Sequence, residues 1–345
     1  MDILVLCGGL SPEREVSLCS ATMVTNALLD KGHRAVMVDL FFGLPGFDGD
    51  FEALFSNARQ LPAHVIDPDA PDLNAVKRSR KDEGDTDEIG KNVLALCRYA
   101  DMVYMGLHGD SGENGRLQAL LDECGVRYTG SGAEASRLAI DKWESKRVFR
   151  ENGILVPNGI LLRRGEAVEL NQLPFPCVVK PCCGGSSIGT TLVRDKELLP
   201  DAIELAFLQE DRIIVEELIE GRELSVGVLG GDALPPIEIM PNSGFYDYRN
   251  KYIAGLTREI CPAPIKSELR SRICAAAVRG FEALKMAVYG RLDFMLTEDG
   301  RFYCMEANTL PGMTPTSLLP QEAQAAGVDY ASLCQRIVEL SKEKR

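Results

Sequence analysis

The stretch "YGRLDFMLTEDGRFYCMEANTLPGM", residues 289–313, constrains this chain more than any other. Two apolar runs flank Asp299–Gly300, and that dipeptide predicts a two-residue hairpin turn. The register that follows sets Asp293 opposite Glu306 and Arg291 opposite Asn308. Leu292, Phe294 and Leu296 then point to one side of the sheet, and Arg291, Asp293, Glu306 and Asn308 to the other. Two carboxylates directly opposed across a strand pair repel each other. A sheet tolerates them if one lies at a solvated edge, or if a cation sits between them. In the second case Asp293, Glu306 and the amide oxygen of Asn308 form an all-oxygen set that suits Mg²⁺ rather than zinc. Mg²⁺ keeps waters and takes its remaining ligands from substrate phosphates, so this alternative predicts a nucleoside triphosphate over the hairpin.

The wider chain narrows the classes. Its 345 residues suffice for two or three domains. A net charge of −13 argues against nucleic acid and anionic membrane as partners, since both attract a basic surface. No run is long and apolar enough to cross a bilayer. The sequence opens on a strand-like "DILVLCGGL" and lacks the basic start of a secretory signal, which gives the expectation of a cytoplasmic protein. The eleven cysteines stand singly apart from Cys182–Cys183, there is no C-x-x-C pair, and only three histidines occur. That pattern argues against a structural zinc site and reads the thiols as small core residues.

Along the chain, "ILVLCGG", a helix over about 16–31 capped at Gly32, and "HRAVMVDL" form a β-α-β opening. It lacks the three-glycine dinucleotide fingerprint, which disfavours NAD. Residues 41–92 show no clear periodicity, and the charged run 77–88 reads as a surface loop. "EASRLAIDKWESKRVFRENG" predicts one helix ending at Gly153. "FPCVVKP" and "TLVR" are strands joined by the glycine- and hydroxyl-rich "CCGGSSIGTT". "RIIVEELIEGRELSVGVLGG" gives two strands around Glu220–Gly221. The segment "MPNSGFYDYRNKYIAGLTREICPAPI" is long and irregular, a length that in a compact domain marks a functional loop or disorder. A helix over "SELRSRICAAAVRGFEALKM" precedes the hairpin, and a terminal helix starts near Tyr330.

Phosphate-binding equipment lies in "VVKPCCGGSSIG". Lys180 ends a strand and can meet a phosphate as a point charge. The glycines let backbone N–H groups approach phosphate oxygens, and Ser186 and Ser187 add hydroxyls. No Walker sequence is present, and alone such a loop reads equally as a flexible turn. Lys142 on the preceding helix is a second candidate phosphate ligand.

At this point the motifs converge on a family. "CGGLSPEREVSL", "GLHGDSGENGRLQALLD", "YTGSG", "VVKPCCGGSSIG", "FYDYRNKY", "GRLDFML" and "EANTLPGMTPTSLLP" occur in the order seen in D-alanine–D-alanine ligases, and the chain resembles that family everywhere except about residues 41–92. The resemblance implies an ATP-grasp fold, α/β and α+β, with an N-terminal Rossmann-like domain over 1–135, a central ATP-grasp lobe over 136–222 and a C-terminal lobe over 223–345 that carries the metal site and closing loop. It implies ligation of two D-alanines through an acyl phosphate formed from ATP, for peptidoglycan precursors. D-alanine–D-serine and D-alanine–D-lactate ligases, and other ATP-grasp carboxylate–amine ligases, are the alternatives. The implied partners are D-alanine and ATP, with a homodimer and neither nucleic acid nor membrane.

Roles carry over position by position. Asp293, Glu306 and Asn308 resemble the ligands of two Mg²⁺ ions, replaceable by Mn²⁺, with Glu306 bridging. Lys142, Lys180 and Lys251 resemble the lysines on the ATP phosphates, with Ser187 beside them. Glu216 matches an acceptor from the adenine amine, Glu217 and Ile219 the backbone edge beside it, and Glu223 the ribose ligand. Arg291 and the Gly312 N–H resemble the oxyanion donors. Glu15 looks like the carboxylate that holds the first D-alanine's ammonium, and His108 a histidine near that substrate. Tyr252 would link to Ser186 and Glu15 on closure of the loop. Ser317 and Leu318 match positions holding the second substrate's carboxylate. The chain departs from the pattern in having Cys183–Gly184–Gly185 where relatives carry Arg-Glu-Gly, and Glu217 where a lysine is common.

Overall fold

Every residue of β1 (Asp2–Cys7) is buried, as expected of the central strand of a parallel sheet covered on both faces. It lies between β2 (Arg34–Asp39) and β3 (Met102–Met105), in the order β2-β1-β3. The computed structural model describes residues 1–66, 71–80, 88–185, 187–242 and 257–343. After this first sheet comes a four-stranded antiparallel sheet, ordered β4 (Gly159–Arg163), β7 (Arg212–Glu217), β5 (Cys177–Pro181), β6 (Thr191–Val193). The third sheet runs β11 (Thr257–Ile260), β10 (Ile237–Pro241), β8 (Arg222–Leu229), β12 (Tyr289–Leu296), β13 (Phe302–Asn308), with the short β9 (Asp232–Ala233) beside β8.

Each sheet has its own core. The Leu199–Phe207 helix closes the four-stranded sheet through Leu199, Ala202, Ile203 and Ala206. The Ser267–Ala283 helix packs Ile273, Ala276, Ala277 and Phe281 beneath Leu292, Phe294 and Leu296. The core of the first sheet also takes in Tyr289, Leu310, Met313, Leu319 and Leu333 from the C-terminal part of the chain. The end of the hairpin is therefore fastened to the N-terminal region.

Three local expectations change. The hairpin loop has three residues, not two: Thr297 N–H donates to the Arg301 carbonyl, and Gly300 takes φ of +81°. This shifts the register so that Leu296 faces Phe302 and Phe294 faces Cys304. A bulge between Asp293 and Phe294 then shifts it back, and Asp293 faces Glu306 and Arg291 faces Asn308. The helix expected to run unbroken to Gly153 is two helices, Ala133–Ile140 and Lys142–Glu151. Asp141 breaks it with extended backbone at ψ of 100°, and its carboxylate caps the second helix by accepting from Trp143 and Glu144 N–H. Among the described residues of the unplaced stretch 41–92 two short helices form, Phe51–Ser56 and Leu73–Ser79, the latter covering part of the charged run.

Candidate active site

The four- and six-stranded sheets face each other across a cleft of about 710 Å³. Val178, Lys180 and Leu192 line it from one sheet, and Glu223, Ile239, Asp293 and Met295 from the other. Ser187, Ile219 and the glycine loop also border it. A second, smaller cavity of about 120 Å³ holds Glu13, His108, Glu113, Arg291, Asn308, Gly312, Ser317 and Leu318. Lys142, Gly184, Gly185 and Glu306 line both, so the two spaces meet there.

On the hairpin, the ion pairs of the protein itself offset the repulsion between the opposed acids. Arg291 donates through Nε to Asp293 Oδ1 and through Nη2 to Oδ2, both at 2.9 Å. Ser225 donates to Asp293 at 2.7 Å and the Asn308 amide at 3.0 Å. Glu306 lies 3.6 Å from Lys142 Nζ. No group of three or more His, Cys, Asp or Glu side chains gathers as a metal cage among the described residues. A cation here would rest on two carboxylates and the Asn308 amide oxygen, completed by ligand oxygens, and that donor set fits Mg²⁺.

Lys142 and Lys146 stand one turn apart on the same helix face, yet do different work. Lys142 Nζ reaches the cleft and donates to the Gly184 carbonyl at 2.7 Å. Lys146 is fully buried and pairs with Glu216, whose other oxygen lies 2.9 Å from Lys180 Nζ. Burial would raise the Glu216 pKa, but the charges of Lys146 and then Lys180 hold it at about 2. Burial pushes Lys146 down to about 7 against the pull of Glu216.

The structure therefore moves Glu216 away from the adenine contact expected of it. Its carboxylate is clasped by two ammoniums, and it does not line the cleft. Nothing in the sequence flagged Lys146; its place on the Lys142 face was the available signal. Glu217 likewise stays out of the cleft, where its carboxylate accepts from the Asn158 backbone and amide N–H groups at 2.9 and 3.1 Å. Cys182 and Cys183 do not form a reactive pair, since burial and the nearby Glu210 charge push both thiols up to about 12.

Glu15 is also corrected. It points away from the small cavity and lies 2.7 Å from His64 Nε2, whereas Glu13 lines the cavity. Residues two apart on a helix are turned by about 200°, so only one acid of Glu-Arg-Glu can face the site. The arginine between them, Arg14, is buried against Asp39 and the Gly9 carbonyl. Glu13 comes so near Gly185 that a Cβ there would stand 2.9 Å from its Oε2, which accounts for glycine in place of a larger residue. Beside it, burial and then the Glu13 charge raise Glu113 to about 7.

At the far end, Ser317 precedes the Leu318–Ala325 helix and joins Thr314 through a contact of 2.8 Å between their hydroxyls. A Cβ on Gly312 would lie 2.8 Å from Ser317 Oγ, so this close approach requires glycine. Ser186, Lys251 and Tyr252 lie outside the described residues.

A nucleotide-sized cleft between two antiparallel sheets, fed by lysines and opening into an acid- and arginine-lined cavity, defines an ATP-grasp enzyme. Residues 2–131 match the family described as D-ala D-ala ligase N-terminus, and residues 149–339 match D-ala D-ala ligase C-terminus. The chain is 45% identical to the D-alanine--D-alanine ligase of Pediococcus pentosaceus, covering 100% of this chain and 98% of that one. It is 41% identical to that of Lacticaseibacillus casei, covering 98% and 95%. Among solved structures, the Bacillus anthracis D-alanine--D-alanine ligase complexed with ATP superposes with a TM-score of 0.74 at 28% identity, covering 99% and 97%. The VanG D-Ala:D-Ser ligase from Enterococcus faecalis gives 0.72 at 30% identity, covering 98% of both chains. The chain belongs to the D-alanine–D-alanine ligase family.

Proposed function

We propose that this enzyme joins two D-alanines through an acyl phosphate made from ATP, supplying the dipeptide for peptidoglycan precursors. One observation carries the reading: the nucleotide cleft and the amino-acid cavity meet at Lys142, Gly184–Gly185 and Glu306, where a γ-phosphate and a substrate carboxylate would have to touch. A carboxylate does not form an amide directly at neutral pH because oxide is a poor leaving group; phosphorylation supplies a good one.

In this reading Glu13 holds the ammonium of the first D-alanine, and Arg291 faces its carboxylate. Lys142, Lys180 and the Ser187 loop hold the triphosphate, with Glu216 and Lys146 keeping Lys180 in place. Ile219 borders the base and Glu223 meets the ribose. Asp293, Glu306 and Asn308 would hold Mg²⁺, which when bound supplies positive charge to the phosphoryl oxygens in transfer. The second D-alanine docks its carboxylate at Ser317 and Leu318, and its amine attacks the acyl phosphate. The Gly312 N–H and Arg291 stabilise the oxyanion of the tetrahedral intermediate. No described helix is long and apolar enough to cross a membrane. A reaction that consumes ATP supports a cytoplasmic enzyme in this reading.

The test is to incubate the protein with ATP, Mg²⁺ and D-alanine, alone and mixed with D-serine or D-lactate, and to measure ADP and product mass. The expected product is D-alanyl-D-alanine in every mixture. Phosphate release with L-alanine but not D-alanine would remove the reading. A predominant mixed product would assign the second-substrate preference to D-serine or D-lactate instead.

A further inference from the structure

The segment 309–313, which carries Gly312, is held largely by side chains from outside its own sheet. Leu310 N–H donates to Glu113 Oε1 at 3.3 Å, and the Leu310 carbonyl faces His108 Nδ1 at 3.0 Å. Met313 N–H donates to Ser20 Oγ at 3.3 Å, and the Met313 carbonyl accepts from the Tyr330 hydroxyl. The other ring nitrogen of His108, Nε2, faces the same Ser20 Oγ at 3.1 Å. Ser20 is fully buried in the Arg14–Asp30 helix.

These contacts fix the protons. A carbonyl can only accept, so His108 Nδ1 carries the hydrogen that points at Leu310. Burial holds the ring below its usual imidazole pKa, and Arg291 pushes the same way against Glu13 and the Leu310 carbonyl. The ring is therefore neutral, and Nε2 has a lone pair to offer. Ser20 accepts from Met313 N–H, and its own proton goes to Nε2. One hydroxyl thus ties the ring and the Met313 amide together, with Gly312 lying between the two anchored residues.

We propose that Ser20 is a positioning residue for the oxyanion donor: its hydroxyl donates to His108 Nε2 and accepts from the Met313 N–H, and through the ring and that amide it sets where the Gly312 N–H points. The role of Gly312 rests on the function proposed above; the tautomer does not. Both ring nitrogens of His108 are occupied, so in this arrangement the histidine braces the loop and is not a free base.

The experiment is ¹⁵N NMR of the full chain, which has only three histidines, combined with steady-state kinetics. His108→Gln identifies the His108 signals. In the unmutated chain the His108 ring should show the neutral Nδ1–H pattern and stay neutral at a pH where a free imidazole, pKa about 6.5, has gained its proton. In Ser20→Ala the Leu310 carbonyl still keeps the hydrogen on Nδ1, so the tautomer should stay, and the Nε2 resonance should shift as that nitrogen loses its hydrogen bond. The kcat should fall roughly 10–100-fold, since a misplacement of about 1 Å at the reacting centre can cost about 10²-fold. The KM for ATP should hold, because residues 309–313 do not border the nucleotide cleft. Ser20→Cys, with a weak donor of similar size, should fall between; it carries the same readouts if Ser20→Ala does not fold. An unchanged His108 spectrum, or an unchanged kcat, would overturn the proposal. So would a loss of kcat and ATP affinity together with no change at His108 Nε2, which would mark a purely structural serine. If the unmutated chain makes no D-alanyl-D-alanine while the spectra behave as expected, the functional reading fails and the Ser20–His108 link stands.

Discussion

The cleft between the two antiparallel sheets and the smaller cavity beside it share Lys142 and Glu306 but are built on opposite principles. In the cleft the working charges are held in pairs: Asp293 with Arg291, Glu306 with Lys142, Lys180 with Glu216. Such pairs keep buried charges compensated until a ligand arrives with charges of its own. In the cavity, the segment that carries Gly312 is held by neutral or backbone-directed hydrogen bonds from Ser20, His108, Glu113 and Tyr330. A backbone donor cannot be recruited by charge; it stabilises an oxyanion only if it already points at the right place. One region is prepared to exchange partners, and the other is fixed.

The hardest blow to this contrast is Glu306→Gln, which removes a charge at the junction. Turnover should fall on the order of 10³-fold with the fold intact, measured by ADP release and circular dichroism. Near-normal turnover would mean that the paired charges of the cleft are not what drives phosphoryl transfer.

Gly312→Ala probes the fixed region. The added Cβ meets Ser317 Oγ at 2.8 Å, so the segment must shift, and kcat should drop about 10²-fold while KM for ATP is retained. Equal losses in both would show that the two regions are not mechanically separate.

The two acids of Glu-Arg-Glu sharpen the boundary of the cavity. Glu13→Gln should raise the KM for D-alanine roughly tenfold or more, whereas Glu15→Gln should change it less than about threefold. The reverse order would return the ammonium site to Glu15.

The smallest effect concerns Glu322, which sits behind the site with one oxygen accepting from Gly227 N–H at 3.0 Å and the other without a hydrogen-bond partner among the described residues. Burial raises its pKa to about 8. The folded state then binds a proton that the unfolded chain has released, so stability falls as pH rises from about 4.5 to about 8. Glu322→Gln keeps the acceptor and removes the titration. Its melting temperature should gain little at pH 5 and most near pH 8, where the difference is on the order of 2 kcal/mol. A gain independent of pH would contradict the buried neutral acid.

Much of this was legible in the residues. The facing of Asp293 and Glu306 was read correctly from a turn of the wrong length, because the three-residue loop shifts the strands one way and the bulge shifts them back. The alternation of Leu292, Phe294 and Leu296 against a buried helix sets which face is core, and the bulge preserves it. The division of labour inside short motifs was not legible. Glu13 and Glu15 differ only in their angle around a helix start, and the break at Asp141 depends on a cap that an unbroken helical pattern conceals. Glu216 looked like a ligand-binding acid until two lysines, distant in sequence, were seen around it.

The sequence by itself determined the strands, the glycine loop, the opposed acids of the hairpin and the family, since these follow from local periodicity, turn chemistry and ordered motifs. Only the tertiary structure decided which charges are paired with which, and that Ser20, His108, Glu113 and Tyr330 converge on one segment. The physical reason is that a charge or hydroxyl takes its character from neighbours within a few ångströms, and those neighbours are set by how the three sheets pack.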